Sequence, residues 1–489
     1  MFSSPDDARA HRFPLRRGGC RRGQVWGGAL LAAAVVLAGC AVKMPDLKPP
    51  IPAQWQQARA SQAPAPTDLH GWWHAFHDPA LDALVDRALA HNLDVAQAVE
   101  HLRAARALQR PAHVRYWPMV KASTDQVVDP DASASYLVAG FDASWEFGLF
   151  GRTTATRREA QGQLDASAAD LAAARVSLVA EVVRNWIELR TAQQQEHLLQ
   201  DVADLRTRQL DLITTRAHLQ LAATTDVDTA QAASAQAAAA LATPRQAATA
   251  AAQRLAVLLG QNHPDPAWLA AGPQPELGAW QIDGAPADLL RTRPEIAKAE
   301  ANVLAAAGEL GIARADRFPQ LGLNASMLWA TDLNNNRKRT VSNGLVTVGP
   351  MINIPLFDWG MRAAAAHAKS HELRAAVLAY RQAVLTGVAE VETALNALAQ
   401  EEQREQHQQV ALRALQHADA ATATRVRLHL DSPLTLADHQ LAADQARLEL
   451  LDTRASRGIA YVALYKALGG APRPTPDHDA DAAPHEAAR

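Results

Sequence analysis

The chain has 489 residues, with 48 Lys+Arg against 51 Asp+Glu and only two cysteines. A formal net charge of −3 argues against a general nucleic-acid-binding protein, and two cysteines exclude a disulfide framework or an all-cysteine zinc site. Hydrophobic residues make up 48% of the chain but aromatic residues only 5%, and the abundant alanine favours long helices over a thick core.

The N-terminal segment has the composition of an export signal. Several arginines precede an apolar stretch from Val25 to Ala38, which ends in Leu37-Ala38-Gly39-Cys40. This ending resembles a bacterial lipobox, and the resemblance implies that residues 1–39 are removed and that Cys40 is acylated. The alternative is an ordinary signal peptide that happens to end near a cysteine. No uncharged apolar run reaches the roughly 18 residues of a membrane-spanning helix.

The rest of the chain repeats itself. Val179–Val182 recurs as Val388–Val391, 209 residues later, and Gly151 matches Gly360 at the same spacing. Upstream the spacing is 201 residues, so eight residues are inserted in the second copy, and the polar stretch Thr331–Arg339 is the predicted loop that holds them. The predicted organisation is an N-terminal segment 40–79, repeat 1 (80–272), a link (273–284), repeat 2 (285–470) and a disordered tail (471–489).

Each repeat is predicted to contain a long helical hairpin. Thr153 to Leu219 contains no proline, and its apolar residues recur at three- and four-residue spacing. At 1.5 Å per residue, such a helix would span roughly 100 Å. The return helices are predicted at about 227–259 and 436–468, with a break or kink at Pro244. Helices this long and thin need partners to bury an apolar face.

Each repeat also contains a predicted β-hairpin, at about 119–147 and 320–356. Apolar and polar residues alternate strictly from Phe141 to Phe147, and most residues from Gln320 to Trp329 alternate in the same way. Strands of about ten residues with one apolar face are typical of transmembrane β-barrels, although a soluble amphipathic hairpin would show the same pattern. Two hairpins supply only four strands, so membrane insertion would require several chains to share one barrel.

Three segments now carry a resemblance to a known family. They are Trp72-Trp73-x-x-Phe76-x-Asp78-Pro79, Trp145-Glu146-x-x-Leu149-Phe150-Gly151-Arg152 and Ile354-Pro355-Leu356-Phe357-Asp358-x-Gly360. In this order, and with the duplication, they resemble the outer membrane factor family, specifically the lipoprotein channels of resistance-nodulation-division efflux systems. The resemblance implies an α+β membrane protein with internal duplication. Its long antiparallel helices would form a periplasmic α-barrel, and its four strands would join a shared twelve-stranded transmembrane β-barrel.

The same resemblance implies the function and the partners. The chain would be a homotrimeric exit duct in the outer membrane that contacts lipid, a periplasmic membrane-fusion adaptor and an inner-membrane pump. It would conduct substrates passively to the exterior, without catalysis, cofactor or metal. The lipid-facing strand residues would be Phe141, Trp145, Phe147, Leu323 and Trp329.

The periplasmic tip is the expected functional site. Leu434-Thr435-Leu436-Ala437-Asp438 resembles the stretch that lines the closed aperture, so Leu434 would give an apolar ring and Asp438 an acidic ring. Clustered carboxylates repel, which disfavours closure unless they are paired or protonated. Relatives often carry an arginine where this chain has Leu441. Asp226 and Asp228 are further candidates for the acidic rim, with helix capping as the alternative for Asp226.

Two arginines are predicted to face the adaptor, Arg216 and Arg425. In the family a glycine usually follows four residues later, but this chain has Gln220 and His429, so the geometry of both turns is in question. No G-x-S-x-G, Walker A or H-E-x-x-H motif is present. The alternatives that remain are a type I protein secretion duct of the same family and a lipid-anchored periplasmic helical scaffold.

Overall fold

A computed structural model describes residues 42–47, 51–52, 55, 68–127, 136–280, 290–332, 341–470 and 472. The signal segment 1–39, Cys40 and most of the tail lie outside the described residues, as does most of the inserted loop. The chain divides into two compact units. One contains Arg115–Thr156 and Gly308–His367, and the other contains Met44–Val114, Arg157–Ala307 and Ala368–Arg489.

The first unit contains a four-stranded antiparallel sheet, in the order β1-β2-β3-β4. The strands are β1 (Met119–Val127), β2 (Tyr136–Glu146), β3 (Gln320–Asp332) and β4 (Val341–Asn353). The strands β1 and β2 come from repeat 1 and β3 and β4 from repeat 2, so the two hairpins pair through their inner strands. Among the described strands, β1 and β4 each leave one edge without a partner.

The helices repeat in the two halves of the chain. In chain order they are α1 (Pro79–His91), α2 (Leu93–Gln109), α3 (Arg152–His218), α4 (Thr224–Ala240), α5 (Ala242–Leu258), α6 (Pro266–Leu269), α7 (Pro294–Ala315), α8 (Met361–Arg427) and α9 (Pro433–Ala467). The helices α3 and α8 each have 67 residues. Among the described helices, none combines the length and the apolar character needed to cross a membrane.

The return helix is broken in repeat 1 and continuous in repeat 2. The helices α4 and α5 are separated at Leu241, and Pro244 lies in the first turn of α5. A proline has no N–H and its ring excludes the carbonyl four residues earlier, so the helical ladder stops just before it. Thr453 holds the equivalent position in α9, which runs on without interruption. The predicted break at Pro244 is therefore present.

The second unit has an aromatic core around a short 3-10 helix, Trp72–Phe76. The Trp72 ring stacks on Tyr465 with centroids 5.6 Å apart, and the Tyr461 hydroxyl donates to the Trp72 carbonyl at 3.0 Å. Trp186 donates from Nε1 to Asp78 Oδ2 at 2.7 Å, which ties α3 to the start of α1. The N-terminal segment, the middle of α3 and the end of α9 thus share one core.

The segment that leads from repeat 1 into the link is held along its backbone by side chains of α3. Gln193 donates to the carbonyl of Trp268 and Gln194 to that of Gly272, both at 2.8 Å. Arg190 donates to the carbonyl of Ala270 at 2.7 Å. These bonds satisfy carbonyls in a segment without regular secondary structure of its own beyond α6.

Candidate functional site

The sheet has one continuous apolar face. Phe141 lies opposite Met327 and Trp145 opposite Leu323, so alternate residues of β2 and β3 share this face. Val346 and Val348 of β4 lie opposite Met327 and Ala325 and extend it. The residues that were predicted to face lipid are between 36% and 50% exposed: Phe141, Trp145, Phe147, Leu323 and Trp329. So wide an apolar surface is uncommon on soluble proteins and marks an interaction surface.

The opposite face of the sheet carries most of the polar strand residues. Asp142 accepts a hydrogen bond from Ser123 Oγ at 3.2 Å, and Lys121 Nζ lies 3.8 Å from the same carboxylate. Ser326 lies opposite Asp142 on β3. The alternation read from the sequence therefore separates an apolar face from a polar one across neighbouring strands.

Hydrogen bonds, ring contacts and ion pairs lie at the end of β2, where the chain leaves the first hairpin. Trp145 donates from Nε1 to the carbonyl of Tyr116 at 2.9 Å, while its ring meets Phe147 edge-on with centroids 4.9 Å apart. Arg152, 16% exposed, lies 2.6 Å from Asp316 and 3.4 Å from Glu146. An arginine fork between two carboxylates links the exit of the first hairpin to the entry of the second.

The two tip turns keep their geometry without glycine. Gln220 has φ 59° and His429 has φ 58°, which places both in the left-handed region. Leu221 N–H donates to Arg216 O at 2.8 Å, and Leu430 N–H donates to Arg425 O at 2.9 Å. These are the hydrogen bonds of a left-handed helix ending, which usually uses glycine. Both turns therefore adopt a left-handed helix ending without glycine, at some cost in backbone strain.

Asp438 has a hydrogen-bond partner within its own chain. Gln209 of α3 donates from Nε2 to Asp438 Oδ1 at 2.9 Å, and Arg206 Nη1 donates to Gln209 Oε1 at 3.0 Å. This chain of hydrogen bonds joins α3 to α9. A cavity of about 370 Å³ lies beside it, and Leu434 and Asp226 contribute to its lining. Leu434 and Asp438 therefore line the same cavity, and Asp438 is paired with Gln209.

Three of the other predicted tip residues, Asp226, Arg216 and Arg425, make contacts within the turn next to them. Asp226 accepts the N–H of Ala223 at 3.0 Å, so it caps the start of α4, and Asp228 is exposed on the next turn. Arg216 Nη2 donates to Leu221 O at 3.5 Å, and Arg425 Nε lies 3.3 Å from Asp431. Both arginines thus brace the turn that follows them.

Sequence reasoning missed three residues at the tip: Arg206, Gln209 and Ser432. Ser432 caps α9 by accepting the N–H of Leu434 at 3.0 Å, and Ser-Pro before an apolar helix was a readable signal for it. Gln209 is 7% exposed, and Leu205 and Ile213 lie one turn before and after it, so no local pattern marks Gln209 or Arg206 as a partner of another helix. Their importance follows only from the approach of α9.

The comparisons with known proteins settle the family. The model of the outer membrane efflux protein family matches residues 84–261 and 285–470. The chain belongs to this family. The two matched stretches correspond to the two repeats, and the predicted internal duplication is confirmed.

Curated relatives extend over nearly the whole chain. The pyoverdine export outer membrane protein OpmQ of Pseudomonas aeruginosa is 30% identical over 464 residues, covering 90% of this chain and 96% of that protein. The probable efflux pump outer membrane protein TtgC of Pseudomonas putida is 28% identical over 466 residues, covering 90% and 95%.

Solved structures show the same fold. The outer-membrane channel OprN is 27% identical with a TM-score of 0.77, covering 89% of this chain and all of that one. The open state of the Neisseria gonorrhoeae MtrE outer membrane channel is 25% identical with a TM-score of 0.76, covering 88% and 99%. The expected outer membrane factor fold, the outer-membrane location with a periplasmic extension and the efflux function are confirmed.

Proposed function

We propose that this chain forms a homotrimeric exit duct that receives substrates from a periplasmic adaptor and an inner-membrane pump. The observation that carries the proposal is the exposed apolar face of a four-stranded sheet whose outer strands have free edges among the described strands. Backbone groups cannot be left unpaired in lipid, and four strands are too few to close a barrel. Several copies must therefore pair β1 with β4 of a neighbour, and three copies give twelve strands.

The duplication supports self-association of the helices as well. The helix α3 is flanked on both sides within the chain. On one side Arg245 lies 2.7 Å from Glu196, and on the other Lys298 of α7 lies 2.7 Å from Asp170. A Cβ at Gly162 would lie 2.5 Å from the Ala305 nitrogen, so α3 and α7 also approach closely.

Among the described residues, the equivalent helix α8 is flanked by helices of its own repeat. The pair Arg454–Glu405 repeats Arg245–Glu196, at 3.1 Å. On the other side, the counterparts of Gly162 and Asp170 are His371 and Ala379, and both are exposed. A neighbouring copy that presents its α2 to α8, as α7 is presented to α3, covers this face. Such a head-to-tail contact closes into a ring.

A cross-linking experiment tests this arrangement. Ala104 is the counterpart of Ala305, so the double variant Ala104→Cys/His371→Cys places two thiols at the proposed contact between copies. Treatment of membranes with a short bismaleimide should give covalent dimers and trimers. Each single variant is the control, because Cys40 is proposed to be acylated and Cys20 to be removed with the signal. Only monomers from the double variant would contradict the proposed contact.

The trimer itself is tested on the purified mature protein. A shared barrel predicts a species of three chains that requires detergent and resists mild heating in SDS. A protein that stays monomeric without detergent would instead support a lipid-anchored helical scaffold. Mass analysis of the mature N-terminus tests acylation of Cys40, and an unmodified thiol would exclude the lipid anchor.

The tip is proposed as the periplasmic aperture. Leu434 and Asp438 would form its rings, Asp226 and Asp228 would add acidic groups, and Arg216 and Arg425 would lie on the adaptor-facing turns. The Gln209–Asp438 hydrogen bond would hold α9 against α3, in a chain where Leu441 cannot provide an arginine contact. The functions of two relatives, export of pyoverdine and efflux by a pump, favour small organic cargo over a secreted protein.

A further inference from the structure

The two hairpins leave the sheet through turns of the same backbone shape. After β2, Phe150 has φ 55° and Gly151 has φ 80°, and after β4, Trp359 has φ 56° and Gly360 has φ 81°. These residues correspond at the spacing of 209 residues. A bulky aromatic residue with a positive φ is strained, and such strain persists only where the surrounding structure holds it. Each turn therefore requires a contact that holds its aromatic residue.

In repeat 1 this contact is an aromatic stack within the chain. The Phe150 ring stacks on Phe318, with centroids 4.9 Å apart and an angle of 16° between the ring planes. Phe318 lies just before Pro319 at the entry to β3, which is the strand that pairs with β2. The stack therefore closes the junction at which one strand leaves the sheet and its neighbour enters it.

In repeat 2 the corresponding aromatic residues lie at the two open edges of the sheet. Trp359 follows β4, is 89% exposed and meets Phe357 edge-on with centroids 4.8 Å apart. The counterpart of Phe318 at the spacing of 201 residues is Trp117, which precedes Pro118 at the entry to β1 and is 60% exposed. Four strands are too few to close on themselves, so β4 and β1 meet only between copies.

The stack within the chain continues the register of the strands. Phe150 and Phe318 lie four residues beyond the pair Glu146–Gly322, in the same alignment. A stack of Trp359 on Trp117 between copies therefore implies a register for β4 and β1 as well. Counted back seven residues on both sides, this register places residue 352 opposite residue 124 of the neighbouring copy.

The implied register keeps the apolar face continuous from one copy to the next. Ile352 lies opposite Leu321 on the apolar face. Thr124 lies opposite Ala139, which in turn lies opposite Trp329 of the same face. A slip by one residue would turn every apolar side chain of one strand to the polar side. The position of the two tryptophans and the alternation of the strands thus agree.

The junction between copies keeps the aromatic rings but has no counterpart of the ion pair. Within the chain, Arg152 lies 2.6 Å from Asp316 across the junction. The counterparts are Met361 and Arg115, which are exposed and cannot form an ion pair with each other. Both stacking positions instead hold tryptophan, which has a larger ring than phenylalanine. Aromatic surface therefore carries this contact.

From these observations we infer that Trp359 stacks on Trp117 of a neighbouring copy and fixes the register of β4 against β1 of that copy, with Ile352 opposite Thr124. The partner of both exposed edges is thus a second copy of this chain. The inference rests on the proposed function, because it requires a barrel shared between copies. The competing environment is lipid, since tryptophan is enriched at membrane interfaces, and the experiments distinguish the two.

Cysteine pairs in the strands test the register. Directly opposite residues have Cα atoms about 4.5–5.5 Å apart, within reach of a disulfide. Oxidation of Thr124→Cys/Ile352→Cys in membranes with copper-phenanthroline should therefore give covalent dimers and trimers. Ala143→Cys/Ala325→Cys is the matched pair within the chain and should give only an internal disulfide. Ala122→Cys/Ile352→Cys should give little linked product, because diagonal neighbours lie about 7–8 Å apart.

A double-variant cycle tests the stack itself, measured as the temperature at which the purified trimer dissociates in SDS. Trp117→Ala and Trp359→Ala should each lower this temperature, and the double variant should lower it little further, because either change removes the same contact. Trp359→Ala with Phe150→Ala affects two different junctions and should be additive. Trp117→Phe/Trp359→Phe installs the pair found within the chain and should retain most of the wild-type value.

Two results would overturn the inference. Additive effects of Trp117→Ala and Trp359→Ala would mean that the rings do not touch and that each contacts lipid. Preferential linking of the 122/352 pair over the 124/352 pair would contradict the register. The cysteine pairs retain both tryptophans, so they test the inference even when the alanine variants do not assemble.

The contact proposed between the helices distinguishes this inference from the duct. Linking of Ala104→Cys/His371→Cys without linking of the 124/352 pair would refute the register and leave the assembly intact. Absence of linked copies from both pairs would refute the shared barrel.

Discussion

The ion pair between the long helix and its return helix occurs twice, in different surroundings, and this allows a matched test of its strength. In repeat 2, Glu405 has a side chain that is 9% exposed and lies 3.1 Å from Arg454 and 2.8 Å from Arg457. In repeat 1, Glu196 is 36% exposed and lies 2.7 Å from Arg245. The change considered is Glu→Gln at each position, which keeps the shape and removes the charge.

The two changes should differ severalfold in their effect on stability. Removing one partner of a buried pair costs about 3–5 kcal/mol, because the remaining charge is left in a poorly solvated place. Arg454 keeps a second partner, Glu276, at 3.0 Å, so we expect about 2–4 kcal/mol for Glu405→Gln. An exposed pair is worth about 1 kcal/mol or less, which is the expectation for Glu196→Gln.

Thermal unfolding of the trimer in detergent, followed by far-UV circular dichroism, measures the difference. The entropy of unfolding is about 2 cal/mol/K per residue, so a chain of this size shifts by about 1 °C per kcal/mol. Glu405→Gln should therefore lower the midpoint by about 2–4 °C and Glu196→Gln by about 1 °C or less. Equal shifts, or a larger shift for Glu196→Gln, would refute the argument that burial decides the strength of this pair.

Three further outcomes follow from the tip and from α9. Gln209→Ala removes the donor to Asp438 and should raise the open fraction of the reconstituted channel in bilayer recordings, whereas Gln200→Ala, whose partner lies on the same helix, should not. His429→Gly relieves a left-handed φ and should stabilise the protein by about 1 kcal/mol; a destabilised variant would show that the side chain makes a compensating contact. Burial raises the pKa of Asp444 above its usual 3.8, so wild-type stability should fall as pH rises from 3.8 through the raised value. Asp444→Asn should remove that slope in unfolding measured against pH, and an unchanged slope would assign it to other groups.

The sequence could predict features that depend on neighbours along the chain. The strict alternation from Phe141 to Phe147 located β2, because side chains on a strand alternate between faces. Gln220 and His429 show the limit of such rules. Local preference disfavours a left-handed backbone there, yet the return helices after both turns impose it. Contacts between distant segments, such as Gln209 with Asp438, leave no local pattern at all.

The segment that leads into the link between the repeats is bound by α3 through three of its carbonyl oxygens, and Gln274 of the link adds a side-chain hydrogen bond to Thr191 Oγ1 at 2.9 Å. Side-chain amides and a guanidinium donate to the carbonyls of Trp268, Ala270 and Gly272, so these three bonds are made to the backbone of the segment. Prolines are compatible with this mode of attachment, since no N–H is required, and Pro273 and Pro275 occupy the segment. The family model leaves 262–284 unmatched between its two stretches. A segment held through its backbone in this way can vary in sequence at positions whose side chains make no contact, while the path of the chain stays the same.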